Sequence, residues 1–533
     1  MKIPKKKELL ELQKKYRTDR KIGEVYGVPG RLVAYWRSKK NIGPYSLPKY
    51  SRDRIIDLWE RYGDDRLAGN ELGISGPGFR RWRMEYSIKN KPPVLKMEQL
   101  ELGFLDTPRS GKSSRRETYV QKIMAKKSGL KTVETGQVVD IAPDFVVAVD
   151  NAGSTISQFL SNGHTKVWDS SKIAVVLNHM PMSSEGNSAD EQKKIREFVK
   201  KQGILTFYDI GWGISHQVII EEGLILPGQL VLGTDHYAAA PGCIAAYSTK
   251  TTAAEMAEIW STGRSKDCVS QTIRVNINGY LSRGVSTSDI ILKLIRDISE
   301  VTANDKAVEF YGPSISAMTI LQRFTLINLA IEAGIKSAVI PFDDVTARFI
   351  KKITKAKFKP IKADTDAAYD GEIEADISYL TPQVVYPNSF KHTTAVEEIA
   401  GKHINHVVLG GFTSGCLDDL EIAATILRGR RIHRDTRMMI IPGSRKTYLD
   451  AIDKGYIRTF VESGCLVLSP SYGACMGANQ GMLAKGERAL TTSKIKSVKT
   501  NGDRNHEIYI ASPATAAASA LKGAITDPRQ YLL

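Results

Sequence analysis

The chemistry open to this chain is indicated first by where its charges and thiols fall. Residues 1–120 hold 28 Lys and Arg against 15 Asp and Glu, a net of +13 out of +17 for the whole 533-residue chain. A cationic excess confined to one end is the electrostatic footprint of a nucleic-acid binder, because each phosphate contact releases counterions. A plain solvated surface is the bland alternative. Sulfur is the second resource: the chain has five cysteines, Cys243, Cys268, Cys416, Cys465 and Cys475, scattered along its length. Their scatter does not resemble the disulfide framework of a small secreted domain, so reduced thiols are expected. Ser110-Gly111-Lys112-Ser113 has the ending of a phosphate-binding loop, but that pattern needs a glycine five residues before Gly111, and Asp106 stands there. The loop is discounted.

The elements that position these groups belong to several domains, since 533 residues exceed one ordinary core. No apolar run of about 18 residues and no leader-like hydrophobic region appears, which points to a cytoplasmic protein with no membrane partner. The front of the chain is repeated. Residues 9–37 overlay residues 55–83 without a gap at a shift of 46, with identities at Leu12/Leu58, Tyr16/Tyr62, Asp19/Asp65, Arg20/Arg66, Gly23/Gly69, Gly27/Gly73, Gly30/Gly76, Trp36/Trp82 and Arg37/Arg83. Each copy reads as three short helices, with Asp19 placed to cap the second and Gly27 to turn the chain into the third. Gly76-Pro77-Gly78 weakens the start of the third helix in copy two, although Pro77 is tolerable in a first turn.

The layout resembles small helix-turn-helix units. That resemblance implies that the third helix enters a DNA major groove and presents Arg31, Tyr35 and Arg37 from copy one and Arg80, Arg81 and Arg83 from copy two. Trp36 and Trp82 are expected to close the two small cores. The resulting division is 1–46 and 47–90 for the two units, 91–117 for a linker rich in Pro, Ser and charge, and 118–533 for the body.

The body alternates Val/Ile-rich strands with helical stretches and glycine turns, the pattern of repeated α/β units. Gly213–Val218 (GISHQV), Gly233–Asp235 (GTD), Ala307–Gly312 (AVEFYG) and Ile510–Ala520 (IASPATAAASA) occur in an order that resembles the large subunit of 3-isopropylmalate dehydratase and homoaconitase, in the aconitase superfamily. The resemblance covers some 415 residues and implies a fold of aconitase-type three-layer α/β domains behind a small all-α region. It also implies a hydro-lyase of hydroxy di- or tricarboxylic acids. Such an enzyme uses a [4Fe–4S] cluster held by three cysteines as Lewis acid, and a serine brought by a separate swivel domain or small subunit.

Carried over residue by residue, Asp150, His179, His216, Asp235 and Glu309 match the family's catalytic positions. Asn178 stands where an aspartate precedes the histidine, and His236-Tyr237 replaces a Ser-His pair. The cluster positions depart further: Phe412 and Tyr472 replace two of the three cysteines, leaving Cys475 as the only retained metal ligand. Cys416 and Cys465 are the candidates for an alternative metal site. In the substrate-binding tail the resemblance implies Ser493, Lys494 and Lys496, but the carboxylate-clamping arginines of the family are gone, and the lysines left nearby are point charges of different geometry.

The expectation is therefore a DNA-binding protein whose degenerate, cluster-less dehydratase-like body senses a small acidic ligand or acts as a scaffold. The alternative is a hydro-lyase or isomerase large subunit that works on a hydroxy acid with a separate small subunit. A third reading is a non-catalytic member of an assembly whose basic front binds RNA or protein.

Overall fold

The computed structural model describes residues 4–16, 18–42, 50–62, 65–72, 74–86, 88, 116–178, 186–301, 306–332, 334–387, 392–473, 483–493 and 507–532. The chain forms two compact units, Met1–Ser113 and Ser114–Leu533. Most of the expected linker lies outside the described residues, as do His179, Cys475, Lys494 and Lys496.

The first unit is all helical, and the repeat is visible in it: α1 (Lys6–Tyr16), α2 (Asp19–Tyr26) and α3 (Gly30–Lys39) are followed by α4 (Arg52–Tyr62), α5 (Asp65–Glu71) and α6 (Gly76–Glu85). One core holds Leu9, Ile22, Val33, Trp36 and Ile42; the other holds Ile55, Leu58, Trp59, Ala68 and Phe79, with Trp82 packed against it. At equivalent positions Ile22 and Val33 become Ala68 and Phe79, a small-for-large exchange that keeps core volume. Gly27 ends α2 in the left-handed region with φ 63°. Gly23 is required by close approach, since a Cβ there would lie 2.3 Å from the Val28 carbonyl oxygen. At the equivalent Gly69 it would lie 2.8 Å from that of Ile74.

Two sequence expectations are corrected here. The cap of α2 is Thr18, whose hydroxyl accepts from the Lys21 amide, which leaves Asp19 to serve another partner. Asp19 accepts from both Nε and Nη2 of Arg37, while Arg37 Nη1 donates to the Ile42 carbonyl at 3.2 Å. The second copy repeats the arrangement: Arg83 Nε and Nη2 donate to Asp65 at 2.8 and 3.0 Å, and Nη1 donates to the Ile88 carbonyl at 3.1 Å. Arg37 and Arg83 are buried, so they lock the third helix to the second instead of facing a phosphate. Arg31, Tyr35, Arg80 and Arg81 are exposed.

The second unit is built on parallel sheets. A short antiparallel pair joins β1 (Val138–Ile141) to a later strand. The first sheet, in spatial order β4-β3-β2-β5-β6, is parallel throughout: β2 (Phe145–Ala148), β3 (Ile173–Val176), β4 (Thr206–Tyr208), β5 (Leu230–Gly233) and β6 (Tyr247–Lys250). The partner of β1 is β7 (Ser265–Cys268). The second sheet, β10-β9-β8-β11, comprises β8 (Thr272–Asn278), β9 (Ala307–Tyr311), β10 (Ser337–Val339) and β11 (Gly371–Asp376), again all parallel.

The third sheet runs β13-β12-β18-β17-β14-β15-β16. It comprises β12 (Gln383–Val385), β13 (Thr393–Ala395), β14 (His406–Gly410), β15 (Arg437–Ile441), β16 (Leu466–Val467), β17 (Arg488–Thr491) and β18 (Glu507–Ala511); β12 pairs antiparallel with both β13 and β18, and the remaining pairs are parallel. The all-buried runs of β2, β3, β5 and β14 are what a parallel sheet covered on both faces demands. A bridge between Gly213 and Ser444, with the Ile214 amide donating to the Gly443 carbonyl at 2.9 Å, ties the segment before His216 to the loop after β15. Among the described residues no helix is long and apolar enough to cross a membrane.

The locked arginine generates the first prediction. Asp19→Ala should leave the buried Arg37 without its carboxylate and cost the first unit about 2–4 kcal/mol, somewhat below a fully buried pair because Asp19 is partly exposed. Hydrogen exchange reads this as lost protection across residues 19–42, with residues 65–88 unaffected. Unchanged protection would show that the pair carries no weight.

Candidate functional site

Three of the expected site residues, Asp150, Asp235 and Ser493, sit just beyond the carboxyl ends of parallel strands, where doubly wound sheets place their ligands, together with Asn178 and Phe412. Asp150 follows β2, Asn178 follows β3, Asp235 follows β5, Phe412 follows β14 and Ser493 follows β17. Each turn starts where a fully buried apolar strand runs out, so polar side chains converge there without having to cross the core.

The centre of the cluster is the buried Asp235 carboxylate. One oxygen accepts from the Tyr237 amide at 2.9 Å; the other accepts from the Ser215 hydroxyl at 3.2 Å and from the Tyr472 hydroxyl. Burial, reinforced by the neighbouring carboxylate, holds the Tyr472 phenol protonated well above its usual range. His216, one residue into the helix Ser215–Glu221, bonds through Nε2 to the Phe412 carbonyl at 2.8 Å, so that nitrogen carries the proton. The imidazole stacks on Phe324 at 5.5 Å between centroids and tilts against Tyr237 at 5.4 Å. The Tyr237 hydroxyl in turn donates to Glu332.

Phe412 stands between these groups, 5.1 Å from the Tyr237 ring and 4.0 Å from the Tyr472 ring. Both Phe412 and Tyr472 are buried in the core shared with Tyr237 and Phe324. Two rings in van der Waals contact therefore occupy the two positions at which the resemblance implies thiolates, and neither offers sulfur to an iron. The two candidates for an alternative metal site lie in different surroundings. Cys416 is fully buried at the start of the helix Leu417–Leu427 and its thiol is pushed far up by burial, while Cys465 belongs to a separate apolar core and is pushed up to about 12. Among the described residues no three His, Cys, Asp or Glu side chains converge as a metal site.

The remaining expected residues divide. Asp150 joins the cluster through backbone: its carboxylate accepts from the Asn178 amide at 2.9 Å, and the Asn178 carbonyl accepts from the Tyr472 amide at 3.2 Å. Ser493 is fully buried and bonded to Thr413, whose amide donates to it at 3.1 Å, so it braces the Phe412 turn instead of facing a ligand. Glu309 is set apart. It lies in the middle of β9, fully buried, and accepts from the Tyr119 amide at 2.8 Å, the Tyr311 hydroxyl at 2.7 Å and the Tyr369 hydroxyl at 3.0 Å. None of those partners is among the groups hydrogen-bonded to Asp235.

The carboxylate that does reach the cluster is Glu332, which sequence reasoning missed. It ends the apolar helix Ile320–Ile331, and a lone acid closing such a helix was the available signal. Asp419 was also missed. It accepts from the Ser414 hydroxyl at 2.9 Å and the Gly415 amide at 2.8 Å, and burial pushes it up to about 6.

Comparison with known proteins places the second unit. The model of the aconitase family (aconitate hydratase) matches residues 121–523, which leaves the front unit outside the match. The 3-isopropylmalate dehydratase large subunit 1 of Methanopyrus kandleri is 37% identical over 417 residues, covering 78% of this chain and 100% of that one. A 3-isopropylmalate dehydratase large subunit of Caldanaerobacter subterraneus is 38% identical over 415 residues, 78% of this chain and 99% of its own. A Methanosarcina mazei protein named "Probable methanogen homoaconitase large subunit" is 39% identical over 388 residues, 73% of this chain and 98% of its own.

The packing of the two rings predicts a cost for opening it. Phe412→Ala should destabilise the second unit by about 3–5 kcal/mol through lost burial and the cavity left behind. Tyr472→Phe, which removes one donor to Asp235 and keeps the ring, should cost about 1–3 kcal/mol. Denaturant unfolding of the full chain measures both; a loss below about 1 kcal/mol for Phe412→Ala would mean the ring is not packed as described.

Proposed function

The chain belongs to the aconitase family, and on that premise we propose that residues 114–533 act as the large subunit of an aconitase-type hydro-lyase on a hydroxy acid, together with a separate small subunit. The observation that carries the reading is the two tyrosine–carboxylate couples, the buried Tyr472 with Asp235 and the part-buried Tyr237 with Glu332, flanking His216 near the strand ends. Relatives named as dehydratase large subunits support the reaction class and the need for a partner.

Loss of water from a hydroxy acid breaks a C–O and a C–H bond. The leaving hydroxyl takes up a proton, a base removes the proton from the neighbouring carbon, and the C–H electron pair becomes the double bond. The couples hold protons that can be handed to the hydroxyl, and in this reading the base arrives on the small subunit. The residues do not fit a [4Fe–4S] cluster, since Phe412 and Tyr472 fill its place with rings in contact, so no step is assigned to one. The anionic end of the substrate falls to Lys494 and Lys496.

The same ring contact favours a second reading, in which the body binds a hydroxy acid without converting it and serves as a sensor or scaffold for a DNA-bound front.

The test is water loss from isopropylmalate, homocitrate and citrate, followed by the ultraviolet absorbance of the unsaturated product. The full chain alone should be inactive, and activity should appear when the small subunit of a 3-isopropylmalate dehydratase is added. Tyr237→Phe and Glu332→Gln should then each lower kcat on the order of 10²-fold or more, as for loss of a proton-transfer group. Saturable binding of one of these acids with no turnover in the presence of the small subunit would displace the hydro-lyase in favour of the sensor. Full activity in both variants would remove the Tyr237–Glu332 couple from the mechanism.

A further inference from the structure

We propose that Gln217 is a positioning residue for His216: with Glu221 it latches the helix Ser215–Glu221 to the segment 443–447, and through that segment it sets His216 against the Phe412 carbonyl. This role rests on the hydro-lyase reading for its kinetic consequence alone. The geometry begins at the bond between His216 Nε2 and the Phe412 oxygen at 2.8 Å, which joins two separate stretches of chain. That bond lasts only while both stretches keep their places, and one residue touches both. The Gly443 amide donates to the Gly415 carbonyl at 2.8 Å, in the turn that carries Phe412. The Gly443 carbonyl accepts from the Ile214 amide at 2.9 Å, just before the helix that carries His216.

Gln217 holds Gly443 in that place. Successive residues of a helix point about 100° apart, so while His216 faces the rings of Phe324 and Tyr237, Gln217 faces the 443–447 segment. Its Nε2 donates to the Thr447 hydroxyl at 2.9 Å and to Glu221, one helical turn on, at 2.7 Å, with the Ser444 hydroxyl 3.4 Å away. Glu221 accepts in turn from the Thr447 hydroxyl at 3.3 Å, which closes the latch. Ser444 accepts from the Thr447 amide at 3.0 Å and so fixes the start of the helix Arg445–Asp453. Packing is equally close. A Cβ on Gly443 would lie 2.1 Å from Gln217 Oε1, and one on Gly213 would lie 2.4 Å from the Gly443 oxygen. Gln217, Ser444 and Thr447 are buried, so water does not take over a bond that is lost, and the two stretches shift instead.

The experiment uses the full chain with isotopically labelled nitrogen in its histidine rings, where the His216 Nε2–H is the proton resonance that vanishes in His216→Asn. Gln217→Met keeps the size of the side chain and removes its donors, and Thr447→Val breaks the latch from the other side. The exchanged pair, Gln217→Glu with Glu221→Gln, restores one donor and one acceptor, since the hydroxyls of Ser444 and Thr447 can turn to donate. Gln217→Met and Thr447→Val should each shift the ring resonance and speed its exchange with water on the order of tenfold or more, as local opening does. The exchanged pair should return it. With the small subunit of a 3-isopropylmalate dehydratase present, the same two variants should lower kcat on the order of 10-fold to 100-fold with KM held within about twofold, and the exchanged pair should recover it. An unshifted resonance in both single variants would overturn the proposal, as would a shift in the exchanged pair as large as in Gln217→Met. So would an unchanged kcat beside a shifted resonance. Absence of turnover in the unaltered complex would remove the hydro-lyase reading alone, because the ring resonance still decides whether the latch holds His216.

Discussion

The second unit turns on one buried charge. Asp235 sits at the end of β5 with its oxygens engaged by the Tyr237 amide, the Ser215 hydroxyl and the Tyr472 hydroxyl, groups drawn from three separate stretches of chain. A carboxylate taken out of water needs such donors, because the desolvation cost of an unpaired ion exceeds anything local packing returns. Each donor is a restraint: Ser215 sets the start of the helix that carries His216, and Tyr472 fixes the loop after β16. The Tyr237 amide turns that ring toward Phe412. The aromatic cluster follows from that polar anchor.

Its surroundings show how the rest of the fold supports the same point. Thr413 and Ser493 share hydroxyl contacts across the ends of β14 and β17, and Asp419 draws in the Ser414 hydroxyl and the Gly415 amide. The turn bearing Phe412 is therefore braced from both sides by short-range hydrogen bonds. In a site organised by a bound inorganic group, the group itself would hold such loops. Here ring packing and hydroxyl bonds do it, which is the physical reason for reading Phe412 and Tyr472 as replacements with a structural role.

Much of this was legible in the residues. Repeated α/β architecture followed from Val/Ile-rich strands alternating with helical stretches and glycine turns, and the altered cluster positions followed from Phe412 and Tyr472 standing in otherwise matching motifs. Legibility stopped where a side chain's direction mattered. Glu309 and Glu332 are both lone acids in apolar surroundings, and sequence cannot say that one lies mid-strand among Tyr119, Tyr311 and Tyr369 while the other ends a helix beside Tyr237. Arg37 failed in the same way. An arginine near the end of a basic helix reads as a surface cation until Asp19, 18 residues earlier, is seen to hold it. The repeat carried a hint, since Asp19 and Arg37 recur together as Asp65 and Arg83.

That recurrence separates two kinds of constraint in the front unit. The pairs that repeat unchanged at a shift of 46 include Asp19/Asp65, Gly23/Gly69, Trp36/Trp82 and Arg37/Arg83, and the structure turns each of them inward, as an ion pair, a close helix approach or a core ring. The outward positions of the third helices do not repeat. Arg31 faces Pro77, Ala34 faces Arg80, Tyr35 faces Arg81 and Lys39 faces Glu85. Exposed substitutions of this kind cost a fold little, so the scaffold leaves those faces free to differ. Two copies with one interior and two exteriors make a tandem whose third helices present different surfaces.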